Sequence, residues 1–126
     1  MSIRVFLVDD DELVRSTLRV YFQTTEDITV VGEATNGADC LAQIEEVNPD
    51  LVLADIHMPH MDGITLLKHL NSGPNPPTFL AVTAFDSDDT MLKILRAGGA
   101  GYILKNQRPR SIIEACLLYT SDAADD

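Results

Sequence analysis

Aspartates follow two separate apolar runs of this sequence, and their side chains are the first candidates for chemistry. Asp55 follows the letters LVLA, and Asp9, Asp10 and Asp11 follow the letters VFLV. Carboxylates that converge at the ends of buried strands repel one another and raise one another's pKa. A divalent cation bound among them favours their ionised forms. The pattern therefore predicts a Mg²⁺ site at the ends of two neighbouring strands.

Two further polar residues, Thr83 and Lys105, end later apolar runs. Carboxylates, a hydroxyl and an ammonium around a divalent ion are the groups that phosphoryl transfer requires. The cation and the ammonium offset charge on the transferring group, the hydroxyl donates to one of its oxygens, and a carboxylate can act as nucleophile to give an aspartyl-phosphate. The sequence lacks the phosphate-binding loop GxxxxGK[ST], which argues against a nucleotide as the donor.

Five apolar runs alternate with five segments of helical periodicity. The runs are Ile3–Val8, Ile28–Ala34, Leu51–Asp55, residues 78–84 and Gly101–Leu104. Nearly continuous apolar runs are typical of parallel strands buried on both faces. The alternation predicts an α/β fold, a flavodoxin-like doubly wound five-stranded parallel sheet of order 2-1-3-4-5 with helices on both faces. In that order the first and third strands are neighbours, so Asp9, Asp10 and Asp55 should converge.

Each helical segment has an apolar stripe that should face the sheet. Asp11 is expected to cap the first helix, Asn36-Gly37 to open the second, Asp62-Gly63 to form a turn, and Pro109 to lie in the first turn of the fifth. The residues expected to face inward are Val14, Leu18, Tyr21 and Phe22, then Ala38, Leu41 and Ile44, then Ile64, Leu67 and Leu70, and finally Met91, Leu92 and Leu95.

Composition narrows the class of protein. A chain of 126 residues with 45% hydrophobic residues suits one domain, and no apolar stretch is long enough to span a membrane. The N-terminus leads directly into a strand, so we expect no secretory leader. Cys40 and Cys116 form no disulfide framework, which favours a reducing cytoplasm, and Cys40 is expected to be inert packing. The net charge of −11 argues against nucleic-acid binding by this segment itself.

The chain carries the following motifs in order: Val8-Asp9-Asp10, Asp55 with Met58-Pro59 and Asp62-Gly63, Thr83-Ala84, and Lys105 behind Gly101-Tyr102. Taken together, they resemble the receiver domain of two-component response regulators over residues 3–115. The stretch DITVVGEA at residues 27–34 resembles the NarL/FixJ subclass. Receivers of that subclass usually precede a helix-turn-helix DNA-binding domain.

The resemblance implies a role for each site residue. Asp55 would be the phosphoacceptor, and Mg²⁺ would be held by Asp9, Asp10, Asp55 and the backbone carbonyl of His57. Thr83 and Lys105 would bind the phosphoryl group, and Thr83 and Tyr102 would form the switch.

The same resemblance implies partners. The phosphoryl donor would be a sensor histidine kinase, and phosphorylation would favour a homodimer. The protein would bind DNA only through a missing C-terminal output domain, and it would not bind a membrane. Such a protein is not an enzyme beyond self-directed phosphoryl transfer and autodephosphorylation. As a further hypothesis, the side chains of His57 and Phe85 flank the phosphoryl group and affect how water reaches it.

Other functions compete with this one. In a haloacid-dehalogenase-like phosphatase, Asp9 and Asp11 would form a D-x-D pair and Lys105 would bind phosphate, but Glu12 and Leu13 replace the expected glycine and threonine. The late acidic pair of that family is also missing. A flavodoxin-like nucleotide binder lacks its phosphate loop, and a stand-alone receiver would need no output domain.

The last eleven residues, CLLYTSDAADD, agree with one reading frame of a transposon-type sequencing adaptor. We therefore expect residues 1–115 to be a receiver domain whose last helix is incomplete, and residues 116–126 to be a non-native tail that is weakly held. In that case the gene runs on and an output domain has been lost. The alternative is a natural acidic terminus.

Overall fold

A computed structural model describes residues 2–58, 60–84 and 88–125 of the chain, apart from the side chains of residues 121–125. Pro59 and Phe85, which carry part of one motif and one hypothesis, lie outside the described residues. Five parallel strands form one sheet in the order β2-β1-β3-β4-β5, which confirms the flavodoxin-like fold expected from the sequence. The elements in chain order are β1 (Ile3–Val8), α1 (Glu12–Phe22), β2 (Ile28–Ala34), α2 (Gly37–Val47), β3 (Leu51–Asp55), α3 (Gly63–Asn71), β4 (Thr78–Thr83), α4 (Asp88–Arg96), β5 (Gly101–Leu104) and α5 (Pro109–Asp125).

The strand bounds agree with the apolar runs except that β4 ends one residue early, at Thr83. Burial on both faces holds for β3 and for most of β1 and β4. It is wrong for β2 and β5, which are half-buried along much of their length because they are the edges of the sheet.

Two apolar layers cover the two faces of the sheet, because successive strand residues point to opposite sides. Phe6, Val52 and Phe79 belong to the first cluster, which includes residues of α2, α3 and α4. Val5, Leu51 and Leu53 belong to the second cluster, which includes residues of α1 and α5. These layers fix the sheet whose carboxyl ends carry the candidate site.

Two of the expected helix stripes need correction. In α2, Ala38 is exposed and Cys40 is buried; in α4, Leu92 and Leu95 are each 48% exposed, whereas Ile94 is fully buried. Each residue of a helix is turned about 100° from the one before it. Residues one or two positions from an inward-facing side chain therefore point away from the sheet.

Helix capping agrees with the sequence for α1, α2 and α5: the side chains of Asp11 and Asn36 each accept a backbone N–H of the following turn, and α5 begins at Pro109. The sequence predicts only a turn at Asp62-Gly63, whereas in the structure the Asp62 side chain accepts the N–H of Thr65 and caps α3. These caps satisfy N–H groups that have no partner within the helix.

The helix α5 extends to Asp125, through most of the expected non-native tail. Cys116 is fully buried in the second cluster, and Leu117 and Tyr119 pack against the same cluster, whereas Leu118 is exposed. The expectation that this segment is weakly held is therefore wrong for Cys116, Leu117 and Tyr119. Among the described residues, no helix combines the length and the apolar character needed to cross a membrane.

Candidate functional site

The carboxylates that follow β1 and end β3 meet at one edge of the sheet. Val8 pairs with Ala54, which places the ends of the two strands side by side. Carboxylate oxygens of Asp9, Asp10 and Asp55 lie within 4.8 Å of one another. Asp9 and Asp55 are 3% and 5% exposed, whereas Asp10 is open to solvent. The convergence expected from the strand order is confirmed.

Lys105, just beyond β5, reaches both buried carboxylates. Its Nζ lies 3.1 Å from Oδ2 of Asp55 and 3.5 Å from Oδ2 of Asp9. Burial lowers the pKa of Lys105, but the hydrogen bond and charge of Asp55, joined by those of Asp9, outweigh it and leave this pKa raised. The ammonium therefore stays charged and partly neutralises the cluster.

Burial disfavours the charged form of Asp9. Burial raises its pKa, the backbone N–H of Asp11 lowers it, the charge of Asp55 raises it again, and Lys105 lowers it, with a net rise. The Asp11 N–H donates to Oδ1 of Asp9 over 2.9 Å and fixes the orientation of the carboxylate. This site would gain from a second positive charge.

The loop after β3 holds Asp55 from its own backbone. The N–H of His57 donates to Oδ1 of Asp55 over 3.0 Å, and the N–H of Gly63 donates to the carbonyl of Ile56 over 2.9 Å. A Cβ atom at Gly63 would lie 2.7 Å from the backbone oxygen of Asp55, which leaves no space for a side chain. Sequence reasoning treated Gly63 only as half of a turn and missed this close approach.

Thr83 lies on β4, the strand beside β3, and Tyr102 lies on the edge strand β5 beyond it. Thr83 is buried at the end of β4, and its carbonyl accepts the backbone N–H of Lys105 over 2.8 Å. This bond joins the two residues expected to bind a phosphoryl group. Tyr102 is half-buried on β5, opposite Ala81 of β4, and packs against the first apolar cluster.

Sequence reasoning also missed Arg15 and Glu33. Arg15 on α1 donates from Nη1 to the backbone carbonyl of Asp9 over 2.6 Å and forms an ion pair with Glu33 of β2. Glu33 lies in the motif DITVVGEA of the sequence, but without the fold that motif does not indicate which residue pairs with Glu33.

The donor set fits Mg²⁺. Carboxylate oxygens are the ligands that this hard cation prefers, and it keeps several waters of its own, which the exposed side of Asp10 allows. The raised pKa of Asp9 has the same implication, because a bound dication would stabilise the charge that burial disfavours. The thiols are unsuited to this role: Cys40 and Cys116 are buried in the core, and burial raises the pKa of each to about 12. The packing role expected for Cys40 is confirmed.

A doubly wound sheet with three carboxylates and a lysine at the carboxyl ends of its strands is the arrangement of a receiver module. Residues 5–117 match the family model for the response regulator receiver domain. The chain belongs to this family.

Curated relatives extend the comparison. The chain is 37% identical over 111 residues to the uncharacterized transcriptional regulatory protein YhcZ of Bacillus subtilis, covering 88% of the chain and 52% of the relative. It is 35% identical over 113 residues to the transcriptional regulatory protein LiaR of the same organism, covering 90% and 54%. The chain thus spans about half the length of the curated relatives it matches.

Solved structures agree with the fold. The signal receiver domain of Mycobacterium tuberculosis NarL superposes with a TM-score of 0.90 at 32% identity, covering 95% of this chain and 97% of that one. The homologues are regulators of the NarL/LuxR type, as the motif in β2 indicated. The phosphatase alternative is not favoured, because the carboxylate of Asp11 accepts the N–H of Leu13 as a helix cap and stands outside the carboxylate cluster.

Proposed function

We propose that this receiver accepts a phosphoryl group on Asp55 from a phosphohistidine of a sensor histidine kinase. The observation that carries the proposal is the hydrogen bond from Lys105 to Asp55 inside a cluster of three carboxylates. Asp55 accepts the backbone N–H of His57, and of the two buried carboxylates it lies closer to the lysine ammonium, at 3.1 Å against 3.5 Å for Asp9. Its two oxygens are thereby oriented for attack.

The transfer conserves atoms and charge in one displacement. One carboxylate oxygen of Asp55 attacks phosphorus, the P–N bond to the donor imidazole breaks, and the imidazole leaves with the electron pair. Lys105 binds an oxygen of the transferring group, and the Thr83 hydroxyl donates to another. Asp9, Asp10, Asp55 and the backbone carbonyl of His57 would hold Mg²⁺, which offsets charge on the phosphoryl group when bound.

The conformational switch that we propose depends on Thr83, which lies between the site and β5. Phosphorylation adds negative charge at Asp55 and draws the Thr83 hydroxyl towards it, which opens space for Tyr102 to move inward. The hydrogen bond from Lys105 to the Thr83 carbonyl makes β4 and β5 respond together. The surface of α4 and β5 would carry the signal. The hypothesis on His57 and Phe85 is retained: the backbone N–H of His57 binds Asp55 and the His57 side chain is exposed, so this side chain would affect attack by water and hence autodephosphorylation.

The output proposed for the whole protein is control of transcription. Its support is that the relatives are transcriptional regulatory proteins about twice as long as the matched segment. A C-terminal DNA-binding domain would then follow, acting in the cytoplasm as a phosphorylation-dependent homodimer. Residues 116–126 remain proposed as a non-native tail.

Labelled acetyl phosphate tests the phosphoacceptor. With Mg²⁺ the parent should incorporate label that hydroxylamine removes, as an acyl phosphate requires, and Asp55→Asn should incorporate none. Asp9→Asn should retain label at a reduced rate, since it loses a metal ligand but keeps the nucleophile. Loss of label in Asp9→Asn with retention in Asp55→Asn would instead assign the nucleophile to Asp9.

A further inference from the structure

Arg15 connects three elements at the back of the acidic site. Its Nη1 donates to the backbone carbonyl of Asp9 over 2.6 Å, and its Nε donates to Oε1 of Glu33 over 3.2 Å. The first bond ends on the residue after β1, and the second ends on the edge strand β2. One guanidinium on α1 therefore holds the backbone beside the carboxylate cluster.

The backbone carbonyl of Asp9 lies outside β1 and α1, so it needs a hydrogen-bond donor other than the backbone N–H groups that pair within these elements. Val8 is the last residue of β1 that pairs with a neighbouring strand, and α1 begins only at Glu12. The N–H of Asp9 continues the ladder by donating to Ala34 over 3.1 Å. The Asp9 carbonyl lies beyond both elements, and Arg15 satisfies it. Backbone acceptors that are withdrawn from water require such a partner.

Glu33 fixes the direction of the guanidinium. A planar guanidinium that binds a carboxylate through one nitrogen has its other nitrogens aimed in set directions. The Arg15 side chain is 13% exposed, so the pair with Glu33 is largely shielded from solvent. Nη1 of Arg19 lies 2.5 Å from Oε1 of the same carboxylate. The Arg19 side chain is 37% exposed and therefore less shielded from solvent than that of Arg15. It donates to both oxygens of Glu33.

We propose that Arg15 is a positioning residue for Mg²⁺ binding, oriented by Glu33 and acting through the backbone of Asp9. This inference rests on the proposed function, because it concerns the same metal site. It also gives the glutamate of the β2 motif a physical role: Glu33 aims the arginine that holds the end of β1. This bond to the backbone carbonyl of Asp9 adds to the bond from the Asp11 N–H, which orients the Asp9 carboxylate.

Charge and position have opposite consequences here. Removing a positive charge near an acidic site strengthens binding of a dication, so a purely electrostatic role predicts that Arg15→Ala binds Mg²⁺ more tightly. A positioning role predicts weaker binding, because Asp9 is no longer held in place. Arg19→Ala is the matched control, since it removes the same charge from the same glutamate but leaves the bond to Asp9 intact.

Calorimetric titration with Mg²⁺ distinguishes the two roles in the full chain. We expect the dissociation constant of Arg15→Ala to rise about 10-fold, and that of Arg19→Ala to stay level or fall. An equal change in both variants, or tighter binding by Arg15→Ala, would overturn the inference. If Arg15→Ala does not fold, Arg15→Lys and Arg19→Lys form a pair of unchanged charge, and only the first should weaken binding, by at least about 3-fold.

Hydrogen exchange of the Asp11 amide in metal-free protein provides a second readout, because this N–H donates to Asp9 Oδ1. Exchange there should be faster in Arg15→Ala than in Arg19→Ala; equal rates would count against positioning. A parent protein that binds no Mg²⁺ would contradict the proposed metal site, whereas normal binding by the parent and by both variants would contradict only the role of Arg15.

Discussion

The ammonium of Lys105 lies 3.1 Å from Oδ2 of Asp55, although fifty positions separate the two residues in the chain. The same ammonium is 3.5 Å from Oδ2 of Asp9. It therefore occupies the acidic cluster as a built-in cation, which a phosphoryl group would attract away from the carboxylates. Because of this relationship, a substitution of Lys105 should affect metal binding and phosphoryl binding differently.

Replacing Lys105 by methionine should affect these two processes in opposite ways. Phosphorylation of Asp55 by acetyl phosphate should slow by about 100-fold, because a preorganised cationic donor is lost. Mg²⁺ should bind at least as tightly as in the parent, since no ammonium competes for Asp55 and Asp9. Stopped-flow phosphorylation and calorimetry measure the two quantities. Lys68→Met, at an exposed position of α3, is the control and should change neither; loss of Mg²⁺ binding in Lys105→Met would contradict this account.

Asp9→Asn should stabilise the metal-free protein at neutral pH. The raised pKa of Asp9 means that the folded state favours the protonated form, because of burial and the charge of Asp55. That stability is fully present below the ordinary pKa of 3.8 and is lost as pH rises through the raised value. Asparagine retains an oxygen for the Asp11 N–H but carries no charge, so its advantage should grow with pH.

Urea unfolding at several pH values without metal measures that difference. The free energy of unfolding of Asp9→Asn should exceed that of the parent at pH 7, and the gap should close on acidification. Adding Mg²⁺ should stabilise the parent by about 2.7 kcal/mol at one hundred times its dissociation constant, and the variant by less. A gap that widens towards acid pH would show that the charge of Asp9 is not disfavoured in the fold.

Gly63→Ala should damage the site through the backbone of β3. An added Cβ would lie 2.7 Å from the backbone oxygen of Asp55 and 2.8 Å from Cα of Ile56, and neither atom can move alone. We expect a loss of about 1–3 kcal/mol of unfolding free energy and slower phosphorylation of Asp55. Gly73→Ala is the matched control, because its Cβ would meet only the carbonyl of Leu70 at 3.4 Å. Equal effects of the two substitutions would remove the special role of Gly63.

The end of α5 gives a prediction on stability alone. Deletion of residues 121–126 should change the unfolding free energy by no more than about 0.5 kcal/mol, since the packed side chains Cys116, Leu117 and Tyr119 remain. Deletion of residues 116–126 should cost about 2–5 kcal/mol, because it exposes the second apolar cluster beside Ile112. Thermal and urea unfolding of the two shortened chains would check this. Similar stability of both would mean that the packing of Cys116 and Tyr119 contributes little.

The fold was predictable because each strand is a short apolar run with a polar residue at or just after its end. Strand order then brought Asp9, Asp10 and Asp55 together, which no local pattern could do without the topology. The stripe of α4 was not predictable: Met91, Leu92, Ile94 and Leu95 are all apolar, and only packing decides that Ile94 faces inward. The lower burial of the edge strands was likewise not predictable, because it depends on which strands lie beside them rather than on their amino-acid sequence.

Contacts made by backbone atoms were the other gap. Gly63 approaches the carbonyl of Asp55, and Arg15 donates to the carbonyl of Asp9, so neither depends on the side chain of its partner. A sequence shows which side chains recur at a given spacing. It does not show which backbone carbonyl lies beyond the end of a strand and lacks a hydrogen-bond partner in the sheet. Arg15 lies outside the motifs and Gly63 belongs to one, but the contacts by which both support the site become visible only in the fold.

Chemical trapping of the phosphorylated residue tests the central claim most directly. The parent chain would be incubated with acetyl phosphate and Mg²⁺, reduced with borohydride, which converts an aspartyl-phosphate to homoserine, and mapped by peptide mass spectrometry, with a chelator-treated sample alongside. We predict homoserine at position 55 in the Mg²⁺ sample and none in the chelated one. Homoserine at position 9 or 10, or none at position 55, would contradict the assignment of Asp55 as the phosphoacceptor.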